Sequence, residues 1–422
     1  LIFLLGLQLY DGPILKNNKG QGMQLLGNLL QAVKPSPTLA ITRKAADLKR
    51  QGVDIIGLSQ GEPDFPRPDH INAAAKLAID KGLTRYTDVD GTPELKAAIV
   101  RKFERENGLV YDSSEISVGT GAKQIIFNAL LATLNHGDEV IIPAPYWVSY
   151  PDMVRLAGGI PVEVSCPENQ SFKITAAQLK RAITPRTKWV ILNSPSNPTG
   201  AGYSAIELKQ LGAVLLGHPQ VYVLSDDIYE HLRYDGWGFN TIAAQVPALR
   251  NRTLTVNGVS KAYSMTGWRI GFAGGPRELI AAMSTLQSQS TSNPCSIAQA
   301  AAQAALDGPL GFLESRNQIF SQRRDLCLGA FETIPGLTCR RPEGAFYLFP
   351  SCEGLINRQT PAKRLLSDDT DVCRYLLEQA RVAVVPGSAF GLEGYFRMWF
   401  ATSTEQLEQA CVRIRLACEQ LS

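Results

Sequence analysis

Between about Asp69 and Leu306, short β-rich runs alternate with longer amphipathic stretches, and this alternation limits the possible folds more than any other feature of the chain. The runs predicted as strands are Ile116–Gly119, Glu139–Pro143, Pro161–Ser165, Trp189–Asn193, Val221–Ser225, Thr253–Asn257 and Ile270–Gly274. Between them, Lys123–Leu134, Ala205–Leu216 and Arg277–Gln287 carry helical patterns. Several of the strands are apolar almost throughout, as expected when both faces of a sheet are covered. The pattern predicts an α/β fold with a mostly parallel sheet between helices. Further on, a charged helical pattern from Gly311 to Phe331 leads to strand-like "GAFYLFP", "VAVVPG" and "FRMWFATS", then to a closing helix, Glu405–Leu421. That part reads as a smaller α+β domain.

A chain of 422 residues exceeds what one hydrophobic core usually serves. The expected division is a large domain over 63–306 and a small domain made of 35–62 together with 307–422. An N-terminal extension, 1–34, precedes both. Residues 1–22 are apolar for only about ten residues, too few to span a bilayer. They lack a basic n-region and a cleavage signal, and Met23 reads as the more natural start. A net charge of +3 gives no argument for nucleic acid or membrane partners. The eight cysteines form no C-x-x-C and the four histidines are scattered, so neither a metal site nor a disulfide framework is expected. Reduced thiols in a cytoplasmic enzyme are the simpler reading.

Open α/β sheets bind ligands beyond the carboxyl ends of their strands, so the residues there carry the functional signal. "GTGAKQ" (Gly119–Gln124) opens a helix with small residues, which suits either an anion at the helix N-terminus or tight helix–sheet packing. It matches neither nucleotide-binding fingerprint, which argues against a nucleotide-dependent dehydrogenase. "APYWVSYP" places Trp147 at the next strand end, as core or as a ring platform. "SPSNPTG" is a stiff turn with two X-Pro bonds that aims the Asn197 amide, or is simply a turn. In "SDDIYEH", Asp226 is a helix cap or a buried acid, with Tyr229 one helical turn away. Finally, "TLTVNGVSKAYSMTGWRIGF" sets Lys261 and Arg269 among small residues, as a solvated loop or as a reagent beside an anion holder. An anion seat, an aromatic plane, an amide, an acid with a phenol, and a lysine with an arginine together fit a phosphorylated pyridine aldehyde held through an imine to lysine.

With those motifs in place, the chain resembles the fold-type I aminotransferases that use pyridoxal phosphate, and most closely the bacterial aspartate aminotransferases. The likeness runs from about Lys34 to the C-terminus through "GEPDFPRP", "YTDVDGTPELKAAI", "PYWVSYP", "SPSNPTGA", "SDDIYEHL", "VNGVSKAYSMTGWRIGF", "GAFY" and "FRMWFATS". The resemblance implies that Lys261 is the covalent anchor of pyridoxal 5'-phosphate and the proton shuttle. It implies that Asp226 pairs with the ring nitrogen, that Asn197 and Tyr229 bind the ring hydroxyl, and that Trp147 stacks on the ring. Gly121, Ala122, Lys123 and Arg269 would seat the phosphate. Tyr86 would reach the phosphate of a neighbouring subunit, which implies a homodimer with shared sites. Arg397 and Gly61 would hold the substrate α-carboxylate, and Lys123, with Thr38 a weaker candidate, the distal carboxylate. One departure stands out: many relatives have Ser or Thr where this chain has Gly258, and Ser260 is no obvious replacement. The implied reaction moves the amino group of aspartate to 2-oxoglutarate by a ping-pong mechanism. Aromatic amino acids or prephenate are the alternative substrates. A DNA-binding regulator built on the same domain is disfavoured, because no added binding module is expected ahead of Lys34.

Overall fold

A computed structural model describes Gly27, Leu30, Val33 and residues 37–422. The expected start at Met23, and the rest of the expected extension, lie outside the described residues. The strands are β1 (Ile56–Gly57), β2 (Ile116–Gly119), β3 (Glu139–Ala144), β4 (Ile160–Ser165), β5 (Thr187–Asn193), β6 (Tyr222–Asp226), β7 (Thr253–Gly258), β8 (Gly271–Gly274), β9 (Tyr347–Leu348), β10 (Val382–Ala383), β11 (Val385–Pro386) and β12 (Phe396–Trp399). The α-helices are α1 (Pro37–Arg50), α2 (Asp69–Asp80), α3 (Pro93–Lys102), α4 (Ala122–Thr133), α5 (Tyr150–Leu156), α6 (Ala176–Ala182), α7 (Ala205–Leu216), α8 (Ile242–Gln245), α9 (Arg277–Ser288), α10 (Ser296–Asp307), α11 (Phe312–Glu332), α12 (Asp369–Tyr375) and α13 (Thr404–Glu419).

Seven strands form the central sheet in the order β2-β8-β7-β6-β5-β3-β4. Successive side chains leave a strand on opposite faces, and the core divides accordingly. Val140, Ile142, Trp189, Ile191 and Leu224 pack on one face, while Ile141, Val190, Leu192 and Val223 pack on the other. Both faces are buried, so the strands read as apolar runs rather than as alternations. The helices between them are well signalled: Ser204 and Glu207 form a capping box that starts α7, as Thr175 and Gln178 do for α6.

β3 through β7 pair in parallel, whereas β8 runs antiparallel to both β7 and β2. The connection from β7 to β8 explains this. It contains only one short helical turn, Thr266–Trp268, and a parallel return needs a full crossover. This same connection carries Lys261 and Arg269, which therefore sit at the carboxyl edge of the sheet.

The C-terminal strands are shorter than their sequence patterns suggest. "GAFYLFP" yields two strand residues and "VAVVPG" two separate pairs. Ala345 has φ +57°, and Pro350 and Pro386 have no N–H to donate to a ladder. β11, β12 and β9 form an antiparallel sheet, and β1 pairs in parallel with β10, Ile56 opposite Val382. Ile56 and Leu58 thereby join the apolar cluster of Phe346, Phe396, Met398 and Phe400. All eight cysteines are free thiols. No helix among the described residues is long and apolar enough to cross a membrane.

One glycine permits a close approach at the sheet edge. A Cβ on Gly271 would lie 2.0 Å from the backbone nitrogen of Ala122, so the first turn of α4 rests directly on β8. Gly271→Ala is expected to destabilise the protein by about 1–3 kcal/mol or more, read from urea unfolding, because backbone rather than a side-chain tip must move.

Candidate active site

Sheet register builds the site. Asn193 pairs with Asp226, and Asp226 with Val256, so β5 and β6 end level with one another and β7 runs two residues further. The loops that follow converge on an open cleft of about 620 Å³. Lys123, Ala122, Trp147, Asn197, Asp226, Tyr229, Lys261, Arg269, Arg397, Gly61 and Thr38 all line it. Two expected residues do not line this chain's cleft. Gly121 lies beneath the guanidinium of Arg269, and Tyr86 is 91% exposed.

Lys261 donates from Nζ to the Gly61 carbonyl at 2.7 Å. Burial disfavours its ammonium and brings the pKa down to about 8; Glu62 opposes that shift, while Arg397 and Arg269 add to it. The amine is thus a usable nucleophile and base near neutral pH.

The cation cradle lies at the start of α4. Gly121 has φ +84°, and a Cβ there would meet Arg269 Nη2 at 2.4 Å. Arg269, itself at φ +58°, donates to the Thr266 carbonyl at 2.9 Å and faces the Thr120 carbonyl at 3.5 Å. At position 258 a side chain would be crowded. A Cβ on Gly258 would come within 3.0 Å of the Ile270 carbonyl oxygen and 3.1 Å of Gly271 Cα and Ile228 Cδ1. Ser260, two residues on, is buried and lines the cleft.

Asp226 is buried at the end of β6, where its Oδ2 accepts from the Tyr150 hydroxyl at 2.6 Å and its Oδ1 from the Ile228 amide at 3.4 Å. Burial raises its pKa to about 6, against the lowering effects of Tyr150, the Ile228 amide and Lys261. Asn193 ties this acid to the next loop. Its Nδ2 donates to the Asp226 carbonyl and its Oδ1 accepts from the Asn197 amide, both at 2.8 Å. The turn beyond holds Ser194–Pro195 and Asn197–Pro198, both cis. The hydroxyls of Tyr229 and Tyr347 lie 2.8 Å apart. Trp147 is edge-on to Tyr150, and Lys123 Nζ lies 4.7 Å above its ring while donating to Ser149 Oγ at 3.2 Å.

Arg397, on β12, is 3% exposed. It donates to Asn197 Oδ1 at 3.0 Å and to the Ser59 carbonyl at 2.6 Å, and its Nε has no partner. Burial lowers its proton affinity, and the faces of Tyr347 and Phe390 cover it.

Sequence reasoning missed Tyr150, Tyr347 and Asn193. The tyrosines stand in the quoted "PYWVSYP" and "GAFY", but their partners lie 76 and 118 residues away. It also missed a cluster of Glu106, Glu230 and His231, whose ligand atoms lie within 4.8 Å of one another. Lys102 and Asn107 donate to Glu230 and His231 bonds Glu106, so these groups already form a closed ionic network.

A half-buried lysine, a buried acid and a buried arginine thus gather with a glycine-bedded guanidinium at the carboxyl edge of an α/β sheet. Residues 53–414 match the family of class I and II aminotransferases. The chain is 58% identical over 400 residues to an aspartate/prephenate aminotransferase of Cereibacter sphaeroides, covering 95% of this chain and all of that one. It is 56% identical over 393 residues to an aspartate aminotransferase of Rhizobium meliloti, covering 93% and 96% of the two chains. Among solved structures, an aspartate aminotransferase of Rhizobium meliloti superposes with a TM-score of 0.93 at 56% identity, covering 95% and 100%. One from Thermus thermophilus with maleate gives 0.88 at 43%, covering 94% and 100%. The chain belongs to the class I and II aminotransferase family and is an aminotransferase with a fold-type I architecture.

Two outcomes follow from the shifted proton affinities of Lys261 and Asp226. In cofactor-free protein, acylation of Lys261 is expected to rise with pH about a midpoint near 8 rather than the ordinary 10.5, as read by peptide mass spectrometry. For Asp226 the folded pKa lies above the unfolded one. Its contribution to stability therefore declines as pH rises from 3.8 to about 6 and stays lost above that. Asp226→Asn should then melt higher than the parent at pH 8 without cofactor, with the gap narrowing as the pH falls below 6.

Proposed function

We propose that this aminotransferase moves the amino group of L-aspartate to 2-oxoglutarate, giving oxaloacetate and L-glutamate by a ping-pong cycle on pyridoxal 5'-phosphate. One observation carries this reading. Arg269, Lys123 and Arg397 line a single cleft with Lys261, and none of the three has a carboxylate partner among the described residues. Cations so arranged are costly unless anions arrive. A cofactor phosphate, a substrate α-carboxylate and a distal carboxylate would supply three.

The residues fit the cofactor. Asp226 is a buried acid bonded only by a hydroxyl and an amide, which leaves it able to hold a protonated ring nitrogen. The Gly121–Arg269 contact suits a phosphate, for which the guanidinium fork is well shaped. When bound, pyridoxal phosphate supplies an aromatic electron sink. Lys261 is assigned as its covalent anchor and, once released, as the base whose Nζ takes the proton from the substrate Cα and would hand it on to the cofactor carbon. Asn197 and Tyr229 would bind the ring hydroxyl, and Trp147 would cover the ring. Ala122 and Lys123 at the start of α4 would help to seat the phosphate. Arg397 would grip the α-carboxylate beside Gly61, with its free Nε available as a further donor. Lys123 is assigned to the distal carboxylate, with Thr38, which lines the same cleft, as a weaker candidate.

The proposal includes a cytoplasmic homodimer in which Tyr86, exposed on this chain, serves the neighbouring phosphate. The chain would divide into a large domain, 63–306, and a small one, 35–62 with 307–422. A second reading, prephenate or aromatic amino acids on the same scaffold, is favoured by the relative named for both aspartate and prephenate.

A visible spectrum of purified protein tests this. The cofactor band should shift on adding L-aspartate alone; a band that only phenylalanine moves would replace the substrate, and no band after adding pyridoxal phosphate would overturn the reading. Lys123→Met should raise KM for aspartate about 10–100-fold, as expected for one charge-assisted hydrogen bond, and leave phenylalanine turnover nearly unchanged.

A further inference from the structure

The segment Ser59–Pro66 is held from three directions. Arg397 donates to the Ser59 carbonyl and Lys261 to that of Gly61. The third hold comes from α11, the long helix beyond the sheet. Its Arg323 forms a two-pronged pair with Asp64 at 2.9 Å. Its Arg316, two turns earlier and so on the same face, donates from Nη2 to the Pro66 carbonyl. Arg316 Nη1 also reaches the Ala262 carbonyl and Ser264 Oγ, each at 3.2 Å. Phe65 lies between the two guanidinium groups, 5.2 Å from one and 5.4 Å from the other, and edge-on to Phe320 of the same helix.

Arg316 differs from Arg323 in kind. It is 9% exposed and forms no ion pair among the described residues, so every acceptor it uses is neutral. Burying a guanidinium without a direct ion pair is costly, with only the charge of Asp64 beyond its contacts to offset it, and what it achieves here is geometric. One side chain links the residue after Lys261 to the segment that carries Lys261's own acceptor. Ser264, at φ +54°, turns the loop back so that its hydroxyl meets the same nitrogen.

We propose that Arg316 is a positioning residue for Lys261, stapling the Ala262–Ser264 turn to the Gly61–Pro66 segment so that Nζ is held at one height over the cleft. The inference rests on Lys261 being the reacting amine. Further along α11, Phe320, Cys327, Leu328 and Phe331 pack in the C-terminal core. The staple therefore ties the height of the lysine to the seat of that core against the sheet.

The test compares wild type, Arg316→Met and Arg316→Lys. In cofactor-free protein, the pH midpoint for acylation of Lys261 is measured by mass spectrometry. A freed side chain gains solvent, so the midpoint in Arg316→Met should rise by about 0.5–1 pH unit. In loaded enzyme, kcat should fall about 10–100-fold, the cost of a misplaced reacting group, while KM for aspartate changes less than about threefold. Arg316→Lys, which keeps one donor to the two carbonyls, should recover part of both effects. Should the Met variant fail to fold, Arg316→Lys and Ser264→Ala carry the same readouts in milder form. An unmoved midpoint with unchanged kcat overturns the proposal. So does a parallel loss of melting temperature and kcat with the midpoint unmoved, which is a purely structural result. Failure of the underlying reading looks different: wild type itself would then show neither a cofactor band nor selective acylation at Lys261.

Discussion

The parallel register that sets Asn193 beside Asp226, and Asp226 beside Val256, decides where every loop of the cleft begins. A slip of one residue would turn each strand's inward set to the opposite face. That is strongly resisted here, because Ile191 and Leu224 belong to one core and Leu192 and Val223 to the other. Apolar packing on both faces thus fixes the positions of the polar groups at the strand ends. Asn193 shows how directly this works: its single amide holds the Asp226 carbonyl and the Asn197 amide at once.

On that frame the cleft gathers more positive charge than it neutralises. Lys261, Arg269, Lys123 and Arg397 face it, and Asp226 and Glu62 are the acids that line it. Burial lowers the proton affinity of Lys261, Lys123 and Arg397 and raises that of Asp226. Each shift marks a charge that protein alone solvates poorly. A site of this kind spends stability for readiness, and anionic ligands relieve the cost. Neutral backbone acceptors, such as the carbonyls of Ser59 and Gly61, hold the cations in place without cancelling them.

Much of this was legible before any coordinates. The helix expected over Ala205–Leu216 has those bounds, because a capping box and an apolar face are local signals. β6 runs one residue later than its apolar run suggested, ending on Asp226, because ladder pairing with Asn193 keeps a polar residue in the strand. The antiparallel course of β8 was not visible, since a strand's direction depends on its connection and not on its composition. Gly258 looked like a lost ligand; that Ile270, Gly271 and Ile228 would crowd a side chain there is something no inspection of neighbouring residues would supply.

The amino-acid sequence by itself determined the alternation of strand and helix, the carboxyl-edge placement of the polar motifs and the family they mark. These follow from periodicity and turn chemistry, which act over a few residues. Tertiary structure alone decided that Tyr150 serves Asp226, that Tyr347 meets Tyr229, that Arg269 lies on Gly121, and that Arg316 reaches across to the turn after Lys261. Those contacts join residues far apart along the chain. Their geometry comes from how the sheet, its helices and α11 close-pack, and a linear pattern does not encode it.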